Sequence, residues 1–95
     1  DFAIDLREDS LNFGNRYAIT LDSKKSSSVL IPKGFGHGYF VKSEFAIVSY
    51  LVDHEYVPNE EKIFNGRDLV TSMNLCDETK LILSEKDSQA PLLTI

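Results

Sequence analysis

The chain has 95 residues and a formal net charge of −5, with a pI near 4.8. A chain of this length forms at most one domain with a modest hydrophobic core. The acidic balance argues against nucleic acid as the main partner, because a phosphate-tracking surface needs clustered Lys and Arg. The single cysteine excludes an internal disulfide, and we expect a reducing, cytoplasmic location. No apolar run approaches the roughly 18 residues of a membrane span, so no membrane partner is predicted.

Short apolar runs recur along the chain, a pattern that favours an all-β sandwich or barrel. We predict strands in these segments, in chain order: 2–6, 16–21, 29–31, 38–41, 45–52 and 81–83. The run 45–52 is the longest and is apolar on both faces, as expected of a strand inside a closed or two-layered structure. Because the chain opens within an alternating run, we expect it to be the later part of something longer.

One short C-terminal helix is predicted, with Ser84 as its N-cap and Asp87 at the third helical position. Pro91 ends this helix, because proline lacks the backbone N–H that a further turn needs. The preceding segment 63–73 shows weaker alternation and a turn signal at Asn65-Gly66. We therefore predict one helix, at the C-terminal end of an otherwise β-rich chain.

The ten residues 31–40 contain three glycines, a proline and one of the two histidines. Pro32 and the first glycine are typical of a tight turn. Gly36 and Gly38 flank His37, so another backbone or a ligand can approach this histidine closely. A histidine with a pKa of about 6.5 can donate, accept or bind a metal. We predict His37 at a strand start facing a cavity, with a purely structural histidine as the alternative.

Four further groups could take part in chemistry. Tyr50 lies near the end of the longest predicted strand, where a phenol can protonate a carbanion or hydrogen-bond an oxyanion. Tyr56 can stack on a base or sugar ring, and Asp87 can orient and charge a histidine base. One of Glu60 and Glu61 can bind a sugar hydroxyl. The ordinary alternatives are tyrosines at the edge of the core, a helix-capping carboxylate and a solvated acidic loop.

We predict no metal site and no cofactor. Pro32-x-Gly34-x-x-His37 fits one short motif of metal-binding cupins, but the His-x-His and downstream Glu that should precede it are absent from the sequence. One cysteine and two histidines at this spacing do not form a four-ligand zinc site.

Five segments together resemble the dTDP-4-dehydrorhamnose 3,5-epimerase family. They are 1–7, similar to D-V-A-V-D-L-R; 12–14, similar to T-F-G; 31–39, similar to I-P-x-G-F-A-H-G-F; the pair Tyr50 and Tyr56-x-Pro58; and 84–93, similar to S-x-K-D followed by P-L-L. The matches keep their order and cover almost the whole chain. The resemblance implies an all-β, cupin-like jelly roll (a double-stranded β-helix) with a short C-terminal helix. Residues 1–95 would form its incomplete, C-terminal portion as a single domain.

The resemblance also implies an activity, namely epimerisation at C3 and/or C5 of a dTDP-4-keto-6-deoxyhexose in dTDP-rhamnose-type deoxysugar biosynthesis. In the family, a histidine paired with an aspartate removes the proton alpha to the ketone. A lysine stabilises the enolate, and a tyrosine returns a proton to the opposite face. Carried over to this sequence, Asp87 is the dyad aspartate and Tyr50 the general acid. The resemblance places the following residues on the substrate side, with Tyr56 toward the nucleotide: His37, Tyr56, Lys86, Glu60 and Glu61.

The family's base histidine lies in an R-G-x-H segment that would precede Asp1, as does its enolate lysine. We therefore expect the chain to supply the acid, the dyad aspartate and part of the pocket, and to be inactive alone. Gly66 and Met73 stand where the family usually has aspartate and tryptophan.

The alternatives are a non-catalytic sugar-nucleotide-binding or structural jelly roll, a related 3-epimerase or 3,4-ketoisomerase, and, more distantly, a metal-dependent cupin oxygenase. The family implies a homodimer that exchanges N-terminal strands. Without those strands the chain would expose sheet edges and apolar faces, so we predict that it is marginally stable or associates.

Overall fold

The computed structural model describes residues 1–94. The elements found there are, in chain order, β1 (Phe2–Asp5), β2 (Arg16–Ala18), β3 (Phe35–Gly38), a 3₁₀-helix (Pro58–Glu60), α1 (Arg67–Ser72), a second 3₁₀-helix (Glu78–Lys80) and α2 (Glu85–Gln89). The three strands form one antiparallel sheet in the order β2-β1-β3. Within the described part of the chain, no helix has the length and apolar character needed to cross a bilayer.

The central strand β1 is the best-buried element of the sheet because a neighbour pairs with it on each side. Its Ala3 lies opposite Tyr17 of β2 and His37 of β3. Ala3 and Ile4 are 6% and 2% exposed, and Asp5 is fully buried. Since successive side chains of a strand point to opposite faces, burial of three consecutive residues means that both faces of β1 are covered.

An ion pair with one buried partner follows directly on β1: the Asp5 side chain is fully buried, and that of Arg7 is 42% exposed. The fully buried carboxylate of Asp5 accepts hydrogen bonds from Arg7 Nε at 2.9 Å and from Arg7 Nη2 at 2.7 Å. The Arg7 backbone N–H and the Ser10 hydroxyl donate to the same carboxylate, each at 3.0 Å. These bonds from Arg7 hold the pKa of Asp5 far below its usual range, so the carboxylate stays charged at physiological pH. This pair was not predicted from the sequence.

The predicted tight turn before β3 is confirmed at Gly34. This residue has φ +89°, a left-handed conformation that favours glycine. A Cβ there would also lie 2.6 Å from Arg7 Cγ, so a side chain would displace Arg7. The prediction of close approach beside His37 is confirmed too, because a Cβ at Gly38 would lie 2.5 Å from the Phe2 ring. The two glycines therefore let the side chains of Phe2, in β1, and Arg7, just after it, approach this segment closely.

Several strand predictions are wrong for the described residues. No strand is present in the segments 29–31, 39–41, 45–52 and 81–83. The second strand stops at Ala18, and β3 begins at Phe35, so His37 lies inside a strand rather than at its start. A strand needs a neighbour to satisfy its backbone N–H and C=O groups, and the sheet of residues 1–94 offers none to these segments.

Helix α1 was not predicted, because the apolar residues of 63–73 were interpreted as weak alternation. The helix begins after Gly66 and buries Leu69 and Val70, which are 8% and 5% exposed. Arg16 Nη1 donates to Ser72 Oγ at 3.0 Å and so joins β2 to the end of α1.

Helix α2 confirms the predicted C-terminal helix and its cap. The Ser84 hydroxyl accepts a hydrogen bond from the Asp87 backbone N–H at 3.1 Å. The helix ends before Pro91, as expected. The carbonyl of Pro91 then accepts from the Asn65 N–H at 2.9 Å, which holds the end of the chain beside the start of α1.

Candidate functional site

His37 is held on β3 by an acidic partner from the start of the chain. Its Nε2 lies 2.7 and 2.9 Å from the two carboxylate oxygens of Asp1. Because a carboxylate only accepts, Nε2 carries the proton. The Asp1 carboxylate favours the charged ring, but burial, the larger cause, keeps the pKa of His37 below its ordinary value. In the uncharged form of the ring, this hydrogen bond leaves Nδ1 as a hydrogen-bond acceptor.

Three residues predicted on the substrate side form a second group, the Tyr56–Glu61–Lys86 cluster. Glu61 Oε2 accepts from the Tyr56 hydroxyl at 3.0 Å and from Lys86 Nζ at 3.2 Å. The hydrogen bond from Lys86, and then that from Tyr56, lowers the pKa of Glu61. The hydrogen bond to Glu61 in turn raises the pKa of Lys86. The cluster joins the loop after the segment 45–52 to α2.

The local chain path explains how this cluster forms. The 3₁₀-helix Pro58–Glu60 lies between Tyr56 and Glu61 and turns the chain so that the two side chains meet. Lys86 lies in the first turn of α2, which the Ser84 cap fixes. The Lys86 and Glu61 side chains are 62% and 39% exposed, so water and salt weaken their attraction. The cluster therefore orients its members more than it stabilises the fold.

The other predicted site residues lie apart from these two groups. Tyr50 is 73% exposed, in the segment that has no strand partner. Asp87 lies on α2 and uses its backbone N–H for the Ser84 cap. Glu60 ends the 3₁₀-helix, where its backbone N–H donates to the Val57 carbonyl at 3.0 Å. Among residues 1–94, no hydrogen bond or ion pair joins Tyr50 or Asp87 to His37.

Two cavities flank the sheet near the His37–Asp1 pair. One has a volume of about 320 Å³, and its walls come mainly from apolar residues of β1, β2 and the segment 29–32. The other is a wider cleft of about 1200 Å³ along the segment 39–49. Asp1, the partner of His37, lines both cavities, whereas His37 itself lines neither of these two. Within residues 1–94, no group of three or more His, Cys, Asp or Glu side chains could hold a metal ion.

Sequence reasoning missed two features of these groups. Asp1 was treated as part of an alternating run, yet it is the hydrogen-bond partner of His37. The two residues are 36 positions apart, and only the β1–β3 register brings them together. The sequence also offered Glu60 and Glu61 as equals, and the structure places Glu61 in the cluster.

Comparison with known proteins identifies the family. The sequence model of dTDP-4-dehydrorhamnose 3,5-epimerase matches residues 1–94, and the chain belongs to this family. The resemblance drawn from its motifs is thereby confirmed.

Relatives with the name dTDP-4-dehydrorhamnose 3,5-epimerase match the chain nearly end to end. The protein of Mycolicibacterium smegmatis is 33% identical over 93 residues, which are 98% of this chain and 45% of the relative. That of Salmonella typhimurium is 32% identical over 93 residues, 98% of this chain and 51% of the relative. That of Pseudomonas aeruginosa is 35% identical over 91 residues, 94% of this chain and 49% of the relative. The chain thus spans about half the length of the relatives it matches. No solved structure gives a significant match.

Proposed function

We propose that this chain serves an isomerase that epimerises C3 and/or C5 of a dTDP-4-keto-6-deoxyhexose in dTDP-rhamnose-type deoxysugar biosynthesis. The observation that carries the proposal is the family match over residues 1–94. Relatives of this name, at 32% to 35% identity, cover the chain almost completely and support it. The alternatives from the sequence, a non-catalytic binding module and a 3-epimerase or 3,4-ketoisomerase, have no comparable support.

The chemistry needs a base on one face of the sugar and an acid on the other. The protons at C3 and C5 are acidified by the C4 carbonyl, and an oxyanion develops on that oxygen as either proton leaves. We assign the general acid to Tyr50 and the aspartate of the His–Asp dyad to Asp87. The exposed phenol of Tyr50 supports the first assignment, since it is free to reach a ligand.

The base of the dyad and the lysine for the enolate belong, in this proposal, to a part of the protein outside residues 1–95. The chain is then the C-terminal portion of a cupin-like jelly roll. Two observations support this arrangement: the relatives are about twice as long as the chain, and the apolar segment 45–52 has no strand partner within residues 1–94. The three-stranded antiparallel sheet of the chain is compatible with such a fold.

The substrate-side roles fall to His37, Tyr56, Lys86, Glu60 and Glu61. The Nδ1 of His37 is an acceptor that suits a sugar hydroxyl. In the Tyr56–Glu61–Lys86 cluster, the ammonium group of Lys86 suits an anionic diphosphate, and the ring of Tyr56 offers a stacking surface for a base. Glu60 is the secondary candidate, since its side chain makes no hydrogen bond within the described residues.

The proposed enzyme is a cytoplasmic homodimer that needs neither metal nor cofactor. The lone Cys76 supports a reducing compartment. The exposed apolar residues of the segment 45–52, among them Phe45 at 79% and Ile47 at 92%, support further burial by protein. Sedimentation velocity over a range of concentrations tests the dimer, and a concentration-independent monomer of the complete protein would contradict it.

The deciding experiment follows deuterium incorporation from D2O into dTDP-4-keto-6-deoxyglucose by NMR. It compares the 95-residue chain, at high concentration, with the complete protein that carries it. We expect exchange at C3 or C5 only with the complete protein. Exchange with the chain alone would mean that a base lies within these residues, with His37 or His54 as the suspects. Tight binding without exchange in the complete protein would overturn the epimerase proposal in favour of a binding module.

The same assay tests the acid. Tyr50→Phe in the complete protein should epimerise far more slowly, because the phenylalanine ring cannot deliver a proton. The matched control is Tyr39→Phe, which removes an exposed hydroxyl from the segment 39–41 without a proposed role. Equal turnover of Tyr50→Phe and the parent protein would show that the acid assignment is wrong.

A further inference from the structure

Asp5 fixes the guanidinium group of Arg7 in one plane. Two nitrogens of Arg7 donate to the two oxygens of the fully buried Asp5 carboxylate, at 2.9 and 2.7 Å. A bidentate pair of this kind defines both the distance and the orientation of the guanidinium group. Ser10 donates to the same carboxylate at 3.0 Å and so helps to hold it. The Arg7 side chain is thus held in a fixed orientation relative to the central strand β1.

Arg7 in turn contacts the strand that carries the histidine. Its guanidinium carbon lies 4.9 Å from the centroid of the Phe35 ring, within cation–π range. Gly34 makes this approach possible, because a Cβ there would collide with the Arg7 side chain. Tyr17 of β2 also contacts Phe35, with ring centroids 6.3 Å apart. Phe35, the first residue of β3, is therefore held by Tyr17 of β2 and by Arg7, which lies just after β1.

The position of Phe35 determines the position of His37. The two residues are two apart on β3, so their side chains share one face of the sheet. In the observed register Asp5 lies opposite Phe35 and Ala3 opposite His37. A slip of one residue would turn His37 to the other face, away from the Asp1 carboxylate that holds its Nε2.

We propose that Arg7 is a positioning residue for His37: held by Asp5, it packs on Phe35, fixes the β1–β3 register and thereby aims the His37 ring at the substrate. The inference rests on the proposed function for the substrate contact alone. The placement of the ring can be measured without substrate. Arg7 itself does not touch the sugar nucleotide in this account.

The test observes the imidazole nitrogens of His37 directly. In the complete protein, ¹⁵N NMR at a fixed neutral pH reports which ring nitrogen of His37 carries the proton. The His37 signals are identified by their loss in His37→Asn. We expect the parent to show the Nε2–H tautomer. Phe35→Leu and Arg7→Lys should both lose this tautomer preference, since the first removes the aromatic surface and the second the planar fork. Phe64→Leu is the matched control, because Phe64 is 41% exposed and lies outside the sheet.

Kinetics of the complete protein give a second readout. Phe35→Leu and Arg7→Lys should raise KM for the sugar nucleotide about five- to tenfold, the worth of one hydrogen bond, and leave kcat nearly unchanged. Phe64→Leu should leave both constants as they are.

The outcomes separate the proposal from its alternatives. A lower melting temperature with an unchanged His37 tautomer would show that Arg7 and Phe35 only stabilise the sheet, and would overturn the proposal. A changed tautomer in a protein that shows no epimerisation would support the positioning role and contradict the proposed function. If Phe35→Leu fails to fold, the ¹⁵N spectrum of His37 in Arg7→Lys tests the proposal alone. Arg7→Lys should still fold, because it retains a cation beside the buried Asp5 carboxylate.

Discussion

Two apolar stretches of this chain, β1 and the segment 45–52, have similar composition but differ in burial and in strand pairing. In β1, Ile4 is 2% exposed between two neighbouring strands. In the later segment, Ile47 is 92% exposed, and no strand pairs with it among residues 1–94. A pattern of apolar residues therefore becomes a buried strand only where other backbones satisfy its hydrogen bonds. The difference indicates that the segment 45–52 is suited to contact protein outside the described residues.

The largest effect is expected from Asp5→Asn, at the end of the well-packed strand. The asparagine amide would direct N–H donors at Arg7, whose own N–H groups need acceptors. The Asp5 side chain is fully buried although that of Arg7 is 42% exposed. Mismatched donors at this buried position are strongly destabilising, so we expect the cooperative melting transition to be lost. The control is Asp22→Asn, since Asp22 is exposed in a loop. A cooperative melt of Asp5→Asn near the parent's temperature would contradict the importance of this pair.

The same residue predicts an acid dependence of stability. The pKa of Asp5 is lowered in the folded state, so its contribution is fully present above the unfolded-state pKa of about 3.9. The contribution falls as the pH drops below that value toward the folded pKa. Urea titrations of the parent between about pH 6 and pH 3 should show this loss of stability on acidification. A stability that rises on acidification would show the sign to be wrong.

A matched pair of substitutions tests the comparison itself. Ile4→Ala should lower the free energy of unfolding by about 2–5 kcal/mol, because it leaves a cavity in the packed sheet. Ile47→Ala should change it by less than about 0.5 kcal/mol, because the side chain is exposed. Urea denaturation at low protein concentration measures both. A large, concentration-dependent cost for Ile47→Ala would instead show that this segment is buried by self-association.

Substitutions in helix α2 should have an effect on stability between those in the buried β1 and those in the exposed segment 45–52. The helix depends on a local cap rather than on a core. Ser84→Ala removes the acceptor for the Asp87 backbone N–H and should cost about 1 kcal/mol of helix stability. Amide hydrogen exchange along α2 measures this loss. Ser88→Ala, within the same helix, is the control and should have the smaller effect. Equal protection in the two variants would show that the cap contributes little.

The smallest effect on stability is expected in the exposed Tyr56–Glu61–Lys86 cluster. Glu61→Gln removes the charge that pairs with Lys86 but keeps an acceptor for the Tyr56 hydroxyl. The melting temperature should hardly move, because exposed ion pairs contribute little. The pKa of Lys86, followed by NMR, should fall toward its ordinary value. Glu60→Gln is the control, because it removes the same charge from the adjacent residue. The pKa of Lys86 should be higher in Glu60→Gln than in Glu61→Gln.

Much of the local structure could be predicted from the sequence. The turn at Gly34 and the capped C-terminal helix both follow from the preferences of a few neighbouring residues. The strand predictions at 29–31 and 81–83 failed because periodicity shows which residues could pair but not whether a partner is present. Helix α1 was missed because short apolar segments fit either period.

For the candidate site, too, the sequence determined some features and the tertiary structure decided others. The sequence by itself determined the family, through ordered motifs that span the chain, and with it the choice of His37, Tyr50, Tyr56 and Asp87. Only the tertiary structure decided that Asp1 is the partner of His37. It also decided that Glu61, not Glu60, joins Lys86. These pairings depend on strand register and on the path of the chain between distant residues, and such long-range geometry leaves no local signal in the sequence.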